Sequence, residues 1–139
     1  MAVERFLVDK SAWERFKHPS VKARLWPLVD RGLVATCAVM DLEILYSTRN
    51  GADHARIKMV REGFDWLPMT DEIGVRAVEV QGLFAAKGQH RRTSVADLLI
   101  AATAERHGVT VLHYDADYDG IADITGQPME WVVERGSVP

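Results

Sequence analysis

"VADLLIAATAERHGVTVLHYDAD", residues 95–117, decides how the chain is read. Its first half is apolar nearly all round a helix and stops at Gly108, a residue suited to the left-handed turn that ends a helix. "VTVLHY" (109–114) is β-prone and apolar, as a buried strand is. A helix feeding directly into such a strand is half of a parallel crossover unit. Asp115 then follows the strand, at the edge where open α/β sheets bind their ligands.

The same pattern extends in both directions. "RFLVD" (5–9) reads as a strand followed by a helix beginning in "SAWERFKH", and "VKARLWPLVDRG" as a second helix closed by Gly32. "LVATC" (33–37) is a strand candidate, then "AVMDLEILYS" a helix and "RNGAD" a turn. Helices at 53–63 and 71–87 flank a short strand at 65–69, a basic connector "KGQHRRTS" follows, and "EWVV" (130–133) closes the sheet. The expectation is a three-layer α/β/α fold with a mainly parallel central sheet, one domain over residues 1–139.

Composition narrows the class. The 139 residues are 47% hydrophobic and 27% charged, enough to bury a real core. The longest apolar run, "LLIAATA", is far short of the roughly 20 residues that span a bilayer. Charges interrupt the first ten residues too early for a secretory signal, and the lone Cys37 excludes an internal disulfide, so a cytoplasmic protein is expected. A net charge of −3 disfavours nucleic-acid binding by overall positive charge, but not binding assisted by metal ions.

"DADYDG" (115–120) has the opening of a calcium loop, with acids at alternate positions and a following glycine. The match fails at the twelfth position, which is Gly126 where a bidentate Glu is required, and a strand precedes it in place of a helix. Other acids fit one site better. Asp9 closes the first strand as Asp115 closes a later one, so both reach the same sheet edge if the strands are parallel neighbours. Asp9 equally suits an N-cap for the helix that follows. Asp97 sits in the most apolar helix, where a capping box with Ser94 is its alternative role. Glu43 lies in an apolar helix with Asp41 as its rival, roughly 200° round, so at most one of the two faces inward. Asp117 stands beside Asp115. Burying several carboxylates together needs a compensating cation, and no lysine or arginine cluster is near all of them in sequence. Mg²⁺ or Mn²⁺, which take hard oxygen ligands, supply that charge economically. The five histidines form no zinc pattern, and His113 reads as a strand histidine.

With "FLVDKSAW", Glu43, "ADLLIAATAERHG" and "VLHYDADYDGIADITGQP" in this order, the chain resembles the PIN-domain ribonucleases, and within them the VapC-type toxins of bacterial toxin-antitoxin pairs. The resemblance spans almost the whole chain. It implies that Asp9, Glu43, Asp97 and Asp115 form a Mg²⁺ or Mn²⁺ site, with Asp117 as ligand or orienter and Ser11 supporting Asp9. The activity implied is endonucleolytic hydrolysis of RNA, tRNA or ribosomal RNA, by metal-activated water, leaving 5′-phosphate and 3′-hydroxyl ends. Lys10, His113 and Tyr118 depart from the family's usual residues, with Tyr118 standing where Phe is commoner.

Substrate phosphates also need positive charge, for which Lys10, Lys87, His90, Arg91 and Arg92 are candidates. The resemblance further implies a homodimer and a cognate VapB-like antitoxin that lays a helix into an apolar groove, with Trp13, Trp26, Leu45 and Tyr46 as groove candidates. The competing readings are a non-catalytic metal- and partner-binding module of the same fold, and a phosphatase with an aspartyl nucleophile.

Overall fold

Leu7 points to one face of a central strand while Phe6 and Val8 point to the other, and all three are buried. That alternation requires a covering layer on each side of the sheet. The computed structural model describes residues 3–139. Its sheet contains β1 (Phe6–Val8), β2 (Val34–Thr36), β3 (Asp65–Trp66), β4 (Thr110–His113) and β5 (Met129–Trp131), in the order β3-β2-β1-β4-β5. Every pairing is parallel, which sharpens the expectation of a mainly parallel sheet.

The crossover helices are α1 (Lys10–Trp13), α2 (Pro19–Asp30), α3 (Ala38–Tyr46), α4 (Gly51–Arg61), α5 (Asp71–Ala85), α6 (Val95–His107) and α7 (Asp117–Thr125). On one face Leu7, Ala35 and Val111 pack against Met40, Ile73, Phe84, Leu98 and Ile121 from α3, α5, α6 and α7. On the other, Phe6, Val8, Val34 and Leu112 meet Ala12, Val21, Leu25 and Leu28 from α1 and α2. Gly108 ends α6 with φ 66°, the left-handed cap its position suggested. No helix among the described residues is long and apolar enough to cross a membrane.

Two local expectations change. Asp119 reads in the sequence as a turn or helix-cap residue with no helix assigned after it, whereas Asp117 opens α7, whose first turn carries both Asp117 and Asp119. Acids near a helix N-terminus are favoured by the macrodipole, so this stretch is a helix start. The strand expected over 65–69 is confined to Asp65–Trp66, and Pro68 lies just beyond it.

The rivalry between Asp41 and Glu43 is settled by Arg61 at the end of α4. Its Nε donates to Asp41 Oδ1 at 2.7 Å and its Nη2 donates to Thr36 Oγ1 at 3.0 Å, while the Thr36 hydroxyl donates to the same carboxylate at 2.7 Å. Arg61 is buried and Asp41 partly so. Asp41 therefore ties α3 to α4 and β2, and Glu43 is left for the other side of α3.

Candidate functional site

β1 and β4 are neighbours in register, Val8 beside Leu112, so the residues that leave their carboxyl ends converge. The Asp9 amide donates to Leu112 O at 2.8 Å, which continues the ladder one residue past β1. Ser11 joins the two strand ends. Its hydroxyl donates to Asp9 Oδ2 at 2.6 Å and accepts the Tyr114 amide at 2.9 Å. The Ser11 amide also donates to Asp9 Oδ2, at 3.0 Å, so Asp9 is both the N-cap of α1 and part of the convergent edge. The two roles anticipated for it coexist.

An open concavity of about 330 Å³ lies at this edge, lined by Asp9, Lys10, Ser11, Glu14, Glu43, Ser94, Asp97, Asp115 and Asp117. All five expected acids are there. Asp97, Asp115 and Asp117 are the tightest group, each offering a ligand atom within 4.8 Å of the others'. Asp9 and Glu43 line the same concavity without joining that trio, Asp9 buried and Glu43 exposed at the mouth. Asp115 is braced by its neighbours: its amide donates to His113 Nδ1 at 3.1 Å and its Oδ1 accepts the Asp117 amide at 2.9 Å. Asp119, the third acid of the run, turns away and accepts from Trp131 Nε1 at 3.1 Å.

The Asp97 capping box forms only by half. Ser94 Oγ accepts the Asp97 amide at 3.0 Å, while Asp97 Oδ1 faces the Tyr118 hydroxyl oxygen at 3.1 Å. That hydroxyl also lies 2.8 Å from Asp9 Oδ1. Tyr118 is wholly buried, and burial together with Asp9 and Asp97 holds its phenol well above the ordinary range, so it remains neutral. Sequence reasoning noted Tyr118 as a departure from the family without giving it a role. The signal was available, because a phenol hydroxyl buried near acids must find a partner.

His113 is half satisfied, contrary to the expectation of an ordinary strand histidine. Its Nδ1 accepts the Asp115 amide, which leaves the ring proton on Nε2, buried and without a hydrogen-bond partner. Burial pushes its pKa down, consistent with a neutral ring packed between a tilted Tyr118 and an edge-on Trp131.

The electrostatics suit a divalent cation. Burial, and then the Asp9 and Asp115 charges, raise the Asp97 carboxyl to about 7. Burial and then Asp115 also raise Asp117. The trio supplies oxygens alone, the donor chemistry of Mg²⁺ or Mn²⁺ and not of zinc, which favours nitrogen and sulfur. Lys10, the cationic residue lining the concavity, is paired with Glu14 at 3.7 Å.

A pH dependence follows, with its sign fixed by the raised carboxyl. Folded Asp97 keeps its proton up to about 7, whereas an unfolded chain loses it near 4, so the stability it contributes is full below about pH 4 and lost as pH rises through 7. In EDTA, Asp97→Asn is expected to gain on wild type by on the order of 2–4 kcal/mol between about pH 5 and about pH 8. Thermal melts at the two pH values measure it, and parallel profiles for the two proteins would refute the raised carboxyl.

The expected basic residues separate. His90, Arg91 and Arg92 line a second concavity with Gly88 and Gln89. Lys87 is exposed and lines neither. Arg92 turns from the connector towards the acids: its guanidinium rests on Gly120 of α7, where an added Cβ would stand 2.9 Å from Cζ, and its charge acts on Asp117. Of the groove candidates, Trp13 is partly buried against the core and stacks on Phe64, while Trp26 and Tyr46 are exposed and Leu45 is partly buried.

A family model described as PIN domain matches residues 6–124. Ribonuclease VapC21 of Mycobacterium tuberculosis is 46% identical over 134 residues, covering 96% of this chain and 97% of its own. Ribonuclease VapC51 of the same organism is 42% identical, with coverage of 96% and 97%. Among solved structures, the DNA-bound VapBC complex from Salmonella typhimurium contains a chain that superposes with a TM-score of 0.75 at 14% identity, over 94% of this chain and all of that one. A chain of FitAcB from Neisseria gonorrhoeae gives 0.70 at 20% identity, over 91% and 97%. At such identities these two attest to the fold alone.

Proposed function

The chain belongs to the PIN-domain family and, within it, to the VapC ribonucleases, and from that premise we propose that it is a divalent-metal-dependent endoribonuclease toxin restrained by a VapB-like antitoxin. The observation that carries the reading is the acidic concavity at the ends of β1 and β4, where Asp97, Asp115 and Asp117 come together without an ion-pair partner among the described residues.

Asp97, Asp115 and Asp117 would hold Mg²⁺ or Mn²⁺, with Asp9 and Glu43 completing the negative surround. When bound, such a cation acidifies water and offsets charge on the phosphodiester. The protein's own part is to hold these carboxylates in place. Ser11 fixes Asp9 and ties it to β4, and His113 and the Asp117 amide fix Asp115. Lys10 and Arg92 flank the acids and would receive the RNA backbone on either side. Transfer RNA and ribosomal RNA, with their splayed single-stranded loops, are the substrates to try first.

The test is incubation of purified, antitoxin-free protein with total tRNA and ribosomal RNA in Mn²⁺ or Mg²⁺, beside EDTA. Discrete fragments that require the metal support the ribonuclease. Uncut RNA from folded, metal-loaded protein favours a partner-binding module of the same fold. Exposed apolar side chains, Trp26 with its neighbours Pro19, Ala23 and Pro27 and the set Val75, Val78 and Val95, are the surfaces we assign to antitoxin and to a second copy of the chain.

The seat of Arg92 makes a separate prediction. Gly120→Ala replaces glycine inside α7, where alanine is favoured by about 0.5–1 kcal/mol, so stability should hold or rise. The new methyl must displace the guanidinium, and RNA binding is expected to weaken by about 3- to 10-fold, with a smaller salt dependence. Filter binding at several salt concentrations in Ca²⁺ or EDTA reads this out. Unchanged affinity would remove Arg92 from the RNA path.

A further inference from the structure

Asp9 has little left to offer a cation. Its Oδ2 accepts from both the amide and the hydroxyl of Ser11, at 3.0 and 2.6 Å, and its Oδ1 accepts from the Tyr118 hydroxyl at 2.8 Å. The same hydroxyl faces Asp97 Oδ1 at 3.1 Å and so stands between the two carboxylates. An ion bridging Asp9 Oδ1 and Asp97 Oδ1 would need to lie about 2.0–2.1 Å from each, where it would compete with the phenol oxygen that stands 2.8 and 3.1 Å from them. A neutral phenol is a donor there, turned towards the acids, and is not among the hard oxygen ligands such ions take. Phenylalanine at this position would leave that space open. The ring itself is packed in the core against His113, so the hydroxyl has no room to swing aside.

From this geometry, and resting on the metal-dependent reading above, we propose that Tyr118 is a positioning residue. Its hydroxyl holds Asp9 and Asp97 together and occupies the space between them. The site is thereby limited to one divalent cation, on the Asp97, Asp115 and Asp117 side, with Asp9 orienting Asp97 through the phenol and not touching the ion. Asp97 Oδ2, Asp115 and Asp117 remain available on that side, in agreement with the trio whose ligand atoms come within 4.8 Å. The Asp117 amide takes Asp115 Oδ1, and the Asp117 carboxylate keeps its oxygens free of protein donors among the described residues.

Mn²⁺ binding to the RNA-free protein tests this without reference to cleavage, by electron paramagnetic resonance of free Mn²⁺ and by calorimetry. Wild type is expected to bind one ion per chain. Tyr118→Phe removes only the oxygen from a fully buried ring and is expected to bind two, the second lost again in Tyr118→Phe/Asp9→Asn. Asp9→Asn in the wild-type background should weaken Mn²⁺ by no more than about 10-fold, and Asp97→Asn by more than about 100-fold. This pair decides the matter even if Tyr118→Phe folds poorly. One ion in both wild type and folded Tyr118→Phe, two in wild type, or equal losses in Asp9→Asn and Asp97→Asn would each overturn the role of Tyr118 while leaving a metal site intact. A wild-type protein that binds no Mn²⁺ overturns the metal reading itself, and this inference with it.

Discussion

Asp97→Asn is expected to slow RNA cleavage by at least about 10³-fold, equivalent to about 4 kcal/mol of transition-state stabilisation. The carboxylate is one of the three closest to one another, and the amide that replaces it cannot supply the negative charge that holds a hard cation. The fold should survive. The cap of α6 uses the backbone amide of residue 97 on Ser94 Oγ, which the substitution leaves in place, and removing a carboxyl that burial disfavours makes the metal-free protein more stable near neutrality. Asp119→Asn is the matched control, because Asp119 lies in the same acidic run but is engaged with Trp131. Single-turnover rates on an RNA that the wild type cuts should separate the two variants by two orders of magnitude or more. Comparable rates would place Asp97 outside the chemistry.

Arg61→Leu is expected to lower stability by about 3 kcal/mol, roughly 10 °C in Tm for a chain of this size. The guanidinium is the cationic partner of Asp41 and also bonds Thr36, so its loss strands a carboxylate against the buried end of β2. Asp41 keeps some contact with solvent, its side chain 23% exposed, which sets the expectation at the low end for a broken buried pair. Replacing both partners, Arg61→Leu/Asp41→Leu, should recover much of the loss. Denaturant melts of the three proteins measure the coupling, and a single variant as stable as wild type would show that the pair holds nothing together.

How much of this was legible varies residue by residue. Asp9 and Asp115 could be placed because each follows a short apolar strand, and parallel strands bring such residues to one edge. Asp97 stood out because a carboxylate in "VADLLIAATA" interrupts an otherwise apolar helix, although its capping role was as good a reading until the carboxylate was seen turned towards Tyr118. Asp41 and Glu43 could be told apart only through Arg61, twenty residues on, since helical spacing says that two acids face apart and not which one faces in. Helix α7 was hidden because "DADYDG" has the composition of a turn. Gly120 was weighed as a calcium-loop glycine, whereas its lack of a side chain makes room for Arg92 from another element. The clamp formed by Tyr118 depends on the depth at which α7 packs against β1 and α6, which no local pattern encodes. Long-range partners of this kind were the part beyond the reach of spacing.

The strand order has one further consequence. β1 and β2 come from the first third of the chain, and β4, which must lie against β1, comes from the last quarter, beyond the exposed connector around Gly88 to Arg91. Asp9 and Glu43 are therefore made early, and Asp97, Asp115 and Asp117 late. Neither portion holds the acidic set alone. A nascent chain halted in that connector, or a fragment released by cleavage there, carries no assembled acidic set, so the concavity comes into being only when the two ends of the chain have met.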